Sequence, residues 1–317
     1  MSRALWIIAA GRAELREGAE PVGEVVVETA YSGISRGTEA LVFAGRVPIP
    51  ERTRMKAPLQ EGEFGFPLKY GYAAVGRVAA GPAALRGRDV FVLHPHQDRF
   101  AAPAEMCVAL PEGVAPEMAV LAANMETALN VVWDAGVGPC DRVAVVGAGV
   151  VGALAGWLCG RIPGVEATLV DVNPGRAGLA ARLGCGFALP DDAPEGCDVV
   201  IHASASAAGL ATALGAAGNE AAVVEASWYG DRSPQVPLGG AFHSRRLRIA
   251  SSQVGRLPPA RAPRWTHRRR LEAALGLLRA PELGALISGD TDFGDLAERY
   301  GAILDDPATL CHRIRYR

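Results

Sequence analysis

The run from Arg142 to Gly152 constrains the fold more than any other part of this 317-residue chain. It reads RVAVVGAGVVG, so five strand-forming residues lead directly into a G-x-G-x-x-G pattern, and an apolar, helix-like stretch follows. The first glycine permits a tight turn, the second lets a ligand approach the backbone, and the third lets the helix pack closely on the strand. The helix start would offer N–H groups and a positive dipole to phosphates. The pattern predicts a dinucleotide pyrophosphate site at Gly147, Gly149, Val150, Val151 and Gly152.

An acidic residue stands at the spacing that such a site requires. Asp171 follows Gly152 by 19 residues, at the end of the apolar run ATLVDV. A carboxylate there accepts a hydrogen bond from a ribose 2′-OH and repels a 2′-phosphate, which favours NAD over NADP. Asn173 and Arg176 follow closely and leave NADP as the less favoured alternative.

Strand and helix patterns divide the chain into two parts. The first 120 or so residues carry short strand-like runs broken by Gly and Pro, such as EVVVETAYSGIS, AAVGRVAA and RDVFVLH. Turn residues recurring at that spacing predict a compact β-rich lobe. From about Pro116, helical periods alternate with apolar strands: ATLVDV, CDVVIHAS, AAVVEAS and LRIASS. This alternation predicts a parallel sheet with helices on both faces.

The C-terminal part returns to shorter elements. The Pro- and Arg-rich stretch 257–267 is typical of a connection. After it we predict a helix over 267–278, a short helix near 295–300 and a final strand over 312–317.

Composition excludes several classes of partner. Half of the residues are hydrophobic, 21% are charged and the net charge is −2, so no global field favours nucleic acid or membrane. The apolar run near the start is too short for a signal peptide, and no stretch is long enough to span a membrane. The six cysteines are scattered without a C-x-x-C pair, which argues against disulfides and a thiolate zinc cluster. These features predict a cytoplasmic protein.

With the nucleotide site placed, nearly the whole chain resembles the medium-chain dehydrogenase/reductase superfamily. The segment 32–39, SGISRGTE, is similar to a segment that usually reads G-I-C-x-x-D, and 71–76, GYAAVG, is similar to G-H-E-x-x-G. The resemblance implies an α/β chain with a Rossmann nucleotide-binding domain over 123–255. It also implies a β-rich GroES-like catalytic domain over 1–122 that is completed by 256–317.

The departures from this family concern its catalytic zinc. Zinc in these enzymes is bound by Cys, His or Glu, and Cys, because thiolate and imidazole donors suit its tetrahedral shell. By the resemblance, Ser35, Tyr72 and Ala123 stand at those positions, and Gly37 and Ala40 replace the hydroxyl and His of the usual proton relay. We therefore expect no zinc. The motif S-G-I-S-x-G-T-E resembles the metal-free branch that includes the dehydrogenase acting on the hydroxyethyl group of a bacteriochlorophyllide.

Without zinc, side chains must stabilise the charge that develops on the substrate oxygen. Tyr72 is the first candidate: its phenol could donate to a carbonyl oxygen or take part in proton transfer, or the side chain could only fill the zinc position. Glu126 could act as a base or substrate anchor, or could serve capping or solvation. Thr38 and Glu39 could orient substrate or close a hydrogen-bond network. The resemblance further places Ser35 at the reacting centre and places Thr127 and Arg36 at the cofactor, Arg36 at its pyrophosphate.

Two basic features stay open at this stage. His94 and His96 could form a metal pair, although a substrate-side loop is the favoured interpretation. The stretch 243–271 holds nine Arg and two His but no Asp or Glu. Such a stretch suits either a solvated or subunit-interface surface, which we favour, or an anionic ligand.

The leading hypothesis is a zinc-independent NAD(H)-dependent dehydrogenase that acts as a homodimer and interconverts a secondary alcohol and a ketone on a small molecule, with an anionic substrate as one option. The alternatives are an enone or quinone reductase of the same fold and an NAD-binding sensor without turnover.

Overall fold

Two compact units make up the computed structural model, which describes residues 1–316. The first unit comprises Met1–Ala123 and the chain from Leu271 onward, and the second comprises Asn124–Arg270. The sequence analysis placed residues 256–270 in the first domain, whereas they group with the second unit. The buried side chain of Arg270 accounts for the difference, because all of its hydrogen-bond acceptors belong to that unit.

The first unit is rich in β-strands, as the turn spacing predicted. Its elements are β1 (Ser2–Ala9), β2 (Arg12–Gly18), β3 (Val25–Ser35), α1 (Arg36–Phe43), β4 (Glu61–Gly62), β5 (Leu68–Lys69), β6 (Ala74–Ala80), β7 (Asp89–Val92), β8 (Arg99–Ala102), β9 (Val108–Ala109) and α2 (Pro116–Ala119). Helix α3 (Ala122–Ala135) then crosses into the second unit.

The second unit alternates strands and helices. Its elements are β10 (Arg142–Val146), α4 (Val150–Cys159), β11 (Glu166–Val170), α5 (Ala177–Arg182), β12 (Gly186–Ala188), β13 (Cys197–His202), α6 (Ala207–Ala216), β14 (Ala217–Glu225) and β15 (Arg248–Ser251). The chain returns to the first unit through α7 (His267–Leu277) and ends with β16 (Ile287–Asp292), α8 (Leu296–Asp305) and β17 (Cys311–Arg315).

Two sheets form the first unit. The larger has the order β16-β17-β3-β6-β7-β9, with β8 also paired to β3, and the smaller has the order β2-β1-β5-β4. Strand β17 is antiparallel to β3, with Cys311 opposite Ser35 and Arg315 opposite Tyr31. Strand β17 therefore lies inside the larger sheet, between β16 and β3.

The sheet of the second unit is entirely parallel, in the order β12-β11-β10-β13-β14-β15. The parallel sheet was predicted correctly. Strand order reverses between β10 and β13, and in such sheets ligands bind outside the carboxyl ends of the strands at this reversal. The glycine loop after β10 lies at that point.

Most predicted elements are found within a few residues of their expected bounds. The helix over 267–278 is α7, and the short helix near 295–300 is the longer α8. The predicted final strand over 312–317 is β17, and Arg317 lies outside the described residues. All six cysteines are free thiols, as their spacing predicted. None of the helices within residues 1–316 is both long and apolar enough to cross a membrane.

Candidate functional site

The glycine loop joins β10 to α4 with the geometry that its pattern predicts. Gly147 has a φ of 105°, in the left-handed region that side chains disfavour. A Cβ on Gly152 would lie 1.9 Å from the carbonyl oxygen of Gly147, so only glycine fits at this crossing. A Cβ on Gly149 would meet no heavy atom within 4 Å, so the backbone faces open space there. With Val150 and Val151 in the first helical turn, the loop fits a pyrophosphate.

Asp171 directly follows β11 and lies against this loop. Its Oδ2 accepts a hydrogen bond from the N–H of Ala148 at 2.7 Å, and its Oδ1 accepts one from the N–H of Asn173 at 2.9 Å. A carboxylate has about four acceptor positions, so it can still accept from ribose hydroxyls. The side chain of Asn173 accepts from the N–H of Gly175 at 2.9 Å and thereby stabilises the turn.

A second group of polar side chains, which the sequence analysis did not select, lies at the carboxyl ends of β13 and β14. His202 ends β13, and its Nε2 lies 2.6 Å from Oγ of Ser204. Its Nδ1 lies 2.7 Å from Oε2 of Glu225, the last residue of β14. The Tyr229 hydroxyl donates to the same oxygen at 3.1 Å. The sequence feature that could have identified this group is the polar residue directly after each of the apolar runs CDVVI and AAVV, because the carboxyl ends of parallel strands carry ligand sites.

Glu225 is held in its ionised form. Burial alone would raise the pKa of this carboxyl, but the hydrogen bonds and charge of His202 and the hydrogen bonds of Ser227 outweigh burial and lower it. Because a carboxylate only accepts, Nδ1 of His202 donates to Glu225. When the imidazole is neutral, its Nε2 can accept from the Ser204 hydroxyl, whereas in the imidazolium both ring nitrogens donate.

In the first unit, the structure brings Tyr72 together with Ser35 and Thr38. Burial raises the pKa of Tyr72 well above its usual value, and the charge of Glu39 raises it further. Hydrogen bonds with the Ser35 and Thr38 side chains oppose this shift without reversing it. The phenol therefore stays protonated at neutral pH and can donate a hydrogen bond.

Glu39 closes a hydrogen-bond network, one of the two roles considered for it. This fully buried carboxylate accepts from the backbone N–H of Ser35 at 2.7 Å, from the hydroxyl of Tyr300 at 2.7 Å and from Nε2 of His96 at 2.9 Å. Nδ1 of His96 in turn accepts from the Ser32 hydroxyl at 2.7 Å. The network fixes the start of α1, which carries Thr38.

His94 and His96 lie in the loop between β7 and β8, and whether this loop faces the substrate stays a prediction. Both side chains are buried in the first unit, and they serve different contacts. The His94 ring stacks on Phe100 with 3.7 Å between ring centroids, whereas His96 bonds to Glu39. Among residues 1–316, no group of three or more His, Cys, Asp or Glu is arranged to hold a metal ion.

Arg36 is bound within the first unit. Its Nε donates to the carbonyl oxygen of Leu304, near the end of α8, at 2.9 Å. The predicted contact of Arg36 with a cofactor pyrophosphate stays a prediction, as does the predicted cofactor contact of Thr127, a half-buried residue of α3.

Glu126 lies on α3 in a buried ion pair. Nε of Arg270 donates to Oε1 of Glu126 at 3.0 Å, and the other guanidinium nitrogens donate to Oδ1 of Asn130 and to the carbonyl oxygen of Val254. The two charged side chains are 7% and 2% exposed. Burial raises the pKa of Glu126, and the charge and hydrogen bond of Arg270 oppose this. Neither capping nor solvation, the structural alternatives considered for Glu126, describes this arrangement.

The basic stretch 243–271 contains one buried arginine, Arg270. Near Trp133 and Trp265, whose ring centroids lie 4.7 Å apart, two other arginines of the stretch stack on aromatic faces. Arg261 lies over Trp133 and Arg269 over Trp265. Part of this stretch therefore forms a cation–π surface.

Comparison with solved structures places this architecture among dehydrogenases. The 2R,3R-butanediol dehydrogenase of Bacillus subtilis matches with a TM-score of 0.78 at 16% identity over 99% of both chains. The rspB alcohol dehydrogenase of Escherichia coli CFT073, complexed with NADH, matches at 0.76 and 17%, over 99% of this chain and 98% of that one. The yhdH oxidoreductase of Salmonella enterica, in complex with NADP, matches at 0.70 and 20% over the full length of both.

The chain has the medium-chain dehydrogenase fold. Its second unit is the Rossmann domain and its first is the GroES-like domain, as predicted. No family profile matches the chain, and no curated protein matches its sequence.

Some dehydrogenases of this fold, such as the gutB protein of Clostridium scindens, are described as zinc-binding. The residues that the family resemblance puts at the zinc-ligand positions do not fit zinc. Ser35 and Tyr72 supply a hydroxyl and a phenol, and Ala123 supplies no donor, whereas zinc is bound by thiolate, imidazole and carboxylate groups. The Tyr72 phenol is already engaged by Ser35 and Thr38.

Proposed function

We propose that the chain is an NAD(H)-dependent oxidoreductase of the medium-chain superfamily that interconverts a secondary alcohol and a ketone without zinc. The glycine loop with Asp171 beside it carries this proposal. The loop offers a helix N-terminus and an open backbone to a pyrophosphate, and dehydrogenases of the same fold have been described with NADH or NADP. The bound nicotinamide would supply the hydride chemistry.

The preference for NAD over NADP rests on Asp171. Two backbone N–H groups hold its carboxylate beside the loop, where it would accept from a ribose hydroxyl and repel a 2′-phosphate. The side-chain oxygen of Asn173 accepts from the N–H of Gly175 and so stabilises the turn that follows Asp171.

Zinc independence is supported by the residues at the ligand positions and by the state of Tyr72. A phenol with a raised pKa is a hydrogen-bond donor at neutral pH and can stabilise negative charge on a substrate oxygen. We assign this role to Tyr72, with Ser35 and Thr38 orienting its hydroxyl.

Titration with NADH and NADPH, followed by nucleotide fluorescence, tests the cofactor assignment. We expect NADH to bind more tightly. Asp171→Ala should weaken NADH by about tenfold, because a hydrogen bond to a charged group contributes about 1.5 kcal/mol or more, and should strengthen NADPH. Asp192→Ala removes an exposed carboxylate of the same unit and should change neither affinity. Tighter binding of NADPH than NADH by the unmodified protein would refute the assignment.

Turnover assays separate the proposed reaction from its alternatives. We would test 2,3-butanediol with NAD⁺, acetoin with NADH, and 2-cyclohexen-1-one and a benzoquinone with NADH. Oxidation of the diol or reduction of acetoin supports the proposal. Reduction of the enone or quinone alone favours a double-bond or quinone reductase, and NADH binding without any turnover favours a sensor.

A further inference from the structure

A continuous hydrogen-bond chain runs along the carboxyl edge of the parallel sheet, next to the glycine loop. It leads from Ser204 through His202 to Glu225, with heavy-atom distances of 2.6 and 2.7 Å. The backbone nitrogen of Ser204 lies 2.7 Å from where a Cβ on Gly147 would stand. The hydrogen-bond chain is therefore located where strand order reverses, at the place where this type of sheet binds its ligand.

The hydrogen-bond chain from Ser204 to Glu225 is buried at one end and exposed at the other. His202 is completely buried and the Glu225 side chain is 14% exposed, whereas Ser204 is exposed. The hydroxyl of Ser206 lies 3.0 Å from Oγ of Ser204 and accepts from the N–H of Gly209, so it supports the serine from the start of α6. A proton can therefore enter or leave the chain at Ser204.

The surrounding residues hold this arrangement in place. Glu225 Oε1 accepts from the N–H of Ser227 at 2.8 Å, and Oε2 also accepts from the hydroxyl of Tyr229. Ala205, directly after the serine, has a φ of 51°, and its N–H donates to Oγ of Ser227 at 3.0 Å. A left-handed conformation is costly for alanine, and such residues concentrate at functional sites.

The position of the hydrogen-bond chain in the sheet indicates which half of a bound dinucleotide it would face. A sheet of this order consists of two mononucleotide-binding halves. Asp171 follows β11 in the first half and is the ribose-binding acid of that half. His202 and Glu225 end β13 and β14 in the other half, which leaves them the nicotinamide side.

We propose that Ser204, His202 and Glu225 form a proton relay that serves the substrate hydroxyl on the nicotinamide side of the second unit. This inference rests on the proposed function and deepens it. Tyr72 stays protonated at neutral pH and so cannot serve as the base for alcohol oxidation. A serine hydroxyl bonded to a histidine that is oriented by a carboxylate is an arrangement that accepts protons.

The relay moves one proton from the substrate hydroxyl towards His202. During oxidation, the substrate O–H proton would pass to Oγ of Ser204, while a bound nicotinamide would take up the substrate C–H hydrogen with its electron pair. The proton already on Ser204 passes to Nε2 of His202, and Glu225 stabilises the resulting imidazolium. The carbonyl forms, and the proton later returns through Ser204 to solvent. In ketone reduction the same protons move in the opposite direction.

An NMR experiment tests the placement without any substrate. The chain has six histidines. The ring signals of His202 are identified as those that disappear in His202→Asn. We expect NAD⁺ to move the His202 signals and ADP-ribose, which lacks the nicotinamide ring, to leave them nearly unchanged. Glu225→Gln should abolish the downfield Nδ1–H signal, because its acceptor loses its charge, while Ser204→Ala should retain it.

Kinetics with 2,3-butanediol test the relay itself. Loss of a general base typically costs about 100-fold or more in rate, so Ser204→Ala should lower kcat by at least that factor. Its NADH affinity should stay within about twofold. Thr212→Ala is the matched control, because this hydroxyl lies on α6, outside the hydrogen-bond chain from Ser204 to Glu225, and donates to the carbonyl oxygen of Ala208.

The outcomes distinguish the two proposals. Failure of both NAD⁺ and NADH to bind overturns the proposed function, and the relay with it. If the nucleotides bind but NAD⁺ and ADP-ribose affect His202 equally, the relay alone is overturned. A kcat for Ser204→Ala equal to that of Thr212→Ala also overturns the relay and leaves the oxidoreductase assignment intact.

Discussion

At the scale of single residues, Tyr72 combines two properties that a catalytic hydrogen-bond donor needs. Burial and the charge of Glu39 raise the pKa of its phenol, and hydrogen bonds with Ser35 and Thr38 orient it. Its edge packs against Tyr70, with ring centroids 6.0 Å apart. These contacts fit the role of hydrogen-bond donor to substrate that we propose for Tyr72.

Replacement of Tyr72 by Phe separates donation from packing, because only the hydroxyl is removed. We expect acetoin reduction to slow by about 100-fold, or about 3 kcal/mol in activation free energy, the typical cost of one preorganised donor. NADH affinity should not change. Tyr31→Phe, a change in a ring beneath the Arg313 guanidinium, is the control. Unchanged turnover in Tyr72→Phe, with chemistry shown to limit the rate, would contradict the donor role.

His94 makes the first unit sensitive to acid. Burial lowers the pKa of this imidazole to about 3, and the charges of Lys69 and His96 contribute in the same direction. The unfolded chain has the ordinary pKa of about 6.5, so below that pH the unfolded state binds one more proton than the folded state. The stability from neutral His94 is therefore complete above pH 6.5 and is lost as pH falls towards 3.

Urea unfolding at pH 7, 6, 5 and 4 measures this effect. His94 should contribute a loss of about 1.4 kcal/mol in the free energy of unfolding per pH unit below 6.5. In His94→Gln the pH slope should be shallower by close to one proton, although the variant is less stable at pH 7 because it loses the stacking on Phe100. Equal slopes in the two proteins would show that His94 is protonated without cost in the folded state.

At the scale of secondary-structure elements, the Glu126–Arg270 pair fixes α3 to the start of α7. The pair is supported by Asn130, whose Nδ2 donates to Asp134 at 3.0 Å and to Ser252 at 3.2 Å. The network thus links α3, the segment after β15 and α7. Its residues lie up to 144 positions apart in the chain.

Glu126→Gln leaves the Arg270 charge buried without its counter-charge. Removing one partner of a buried pair typically costs 3–5 kcal/mol, and we expect a loss of roughly 3 kcal/mol in the free energy of unfolding. The double variant Glu126→Leu, Arg270→Met should recover most of it, because apolar replacement of a whole pair is often neutral. A fall in turnover at unchanged stability in Glu126→Gln would instead support the catalytic base considered from the sequence.

The sequence predicted elements well and their side-chain partners poorly. Apolar periodicity and the glycine pattern were sufficient for the parallel sheet and the turn at Gly147, because both depend on local backbone chemistry. The pairing of Glu126 with Arg270 was not predictable, since no local pattern connects residues so far apart. His202 and Glu225 were recognisable in principle as polar ends of neighbouring strands, but nothing in the sequence reveals which polar ends touch.

At the scale of the whole molecule, zinc content is the simplest measurement. With Ser35, Tyr72 and Ala123 at the ligand positions, purified protein should hold well under one zinc per chain, and EDTA should leave turnover and the unfolding temperature unchanged. Elemental analysis that finds one tightly held zinc per chain would overturn zinc independence. Tyr72→Phe would then test whether the phenol contributes to turnover beside a bound metal.

The pairing of β17 with β3 has a consequence for folding during protein synthesis. The first unit cannot complete its large sheet until residues 311–315 have left the ribosome, although β3 ends at residue 35. At roughly 5–20 residues per second, the interval is on the order of tens of seconds. The Rossmann domain is synthesised entirely within it. During translation, one edge of β3 thus stays unpaired, and an unpaired strand edge is prone to pair with other chains.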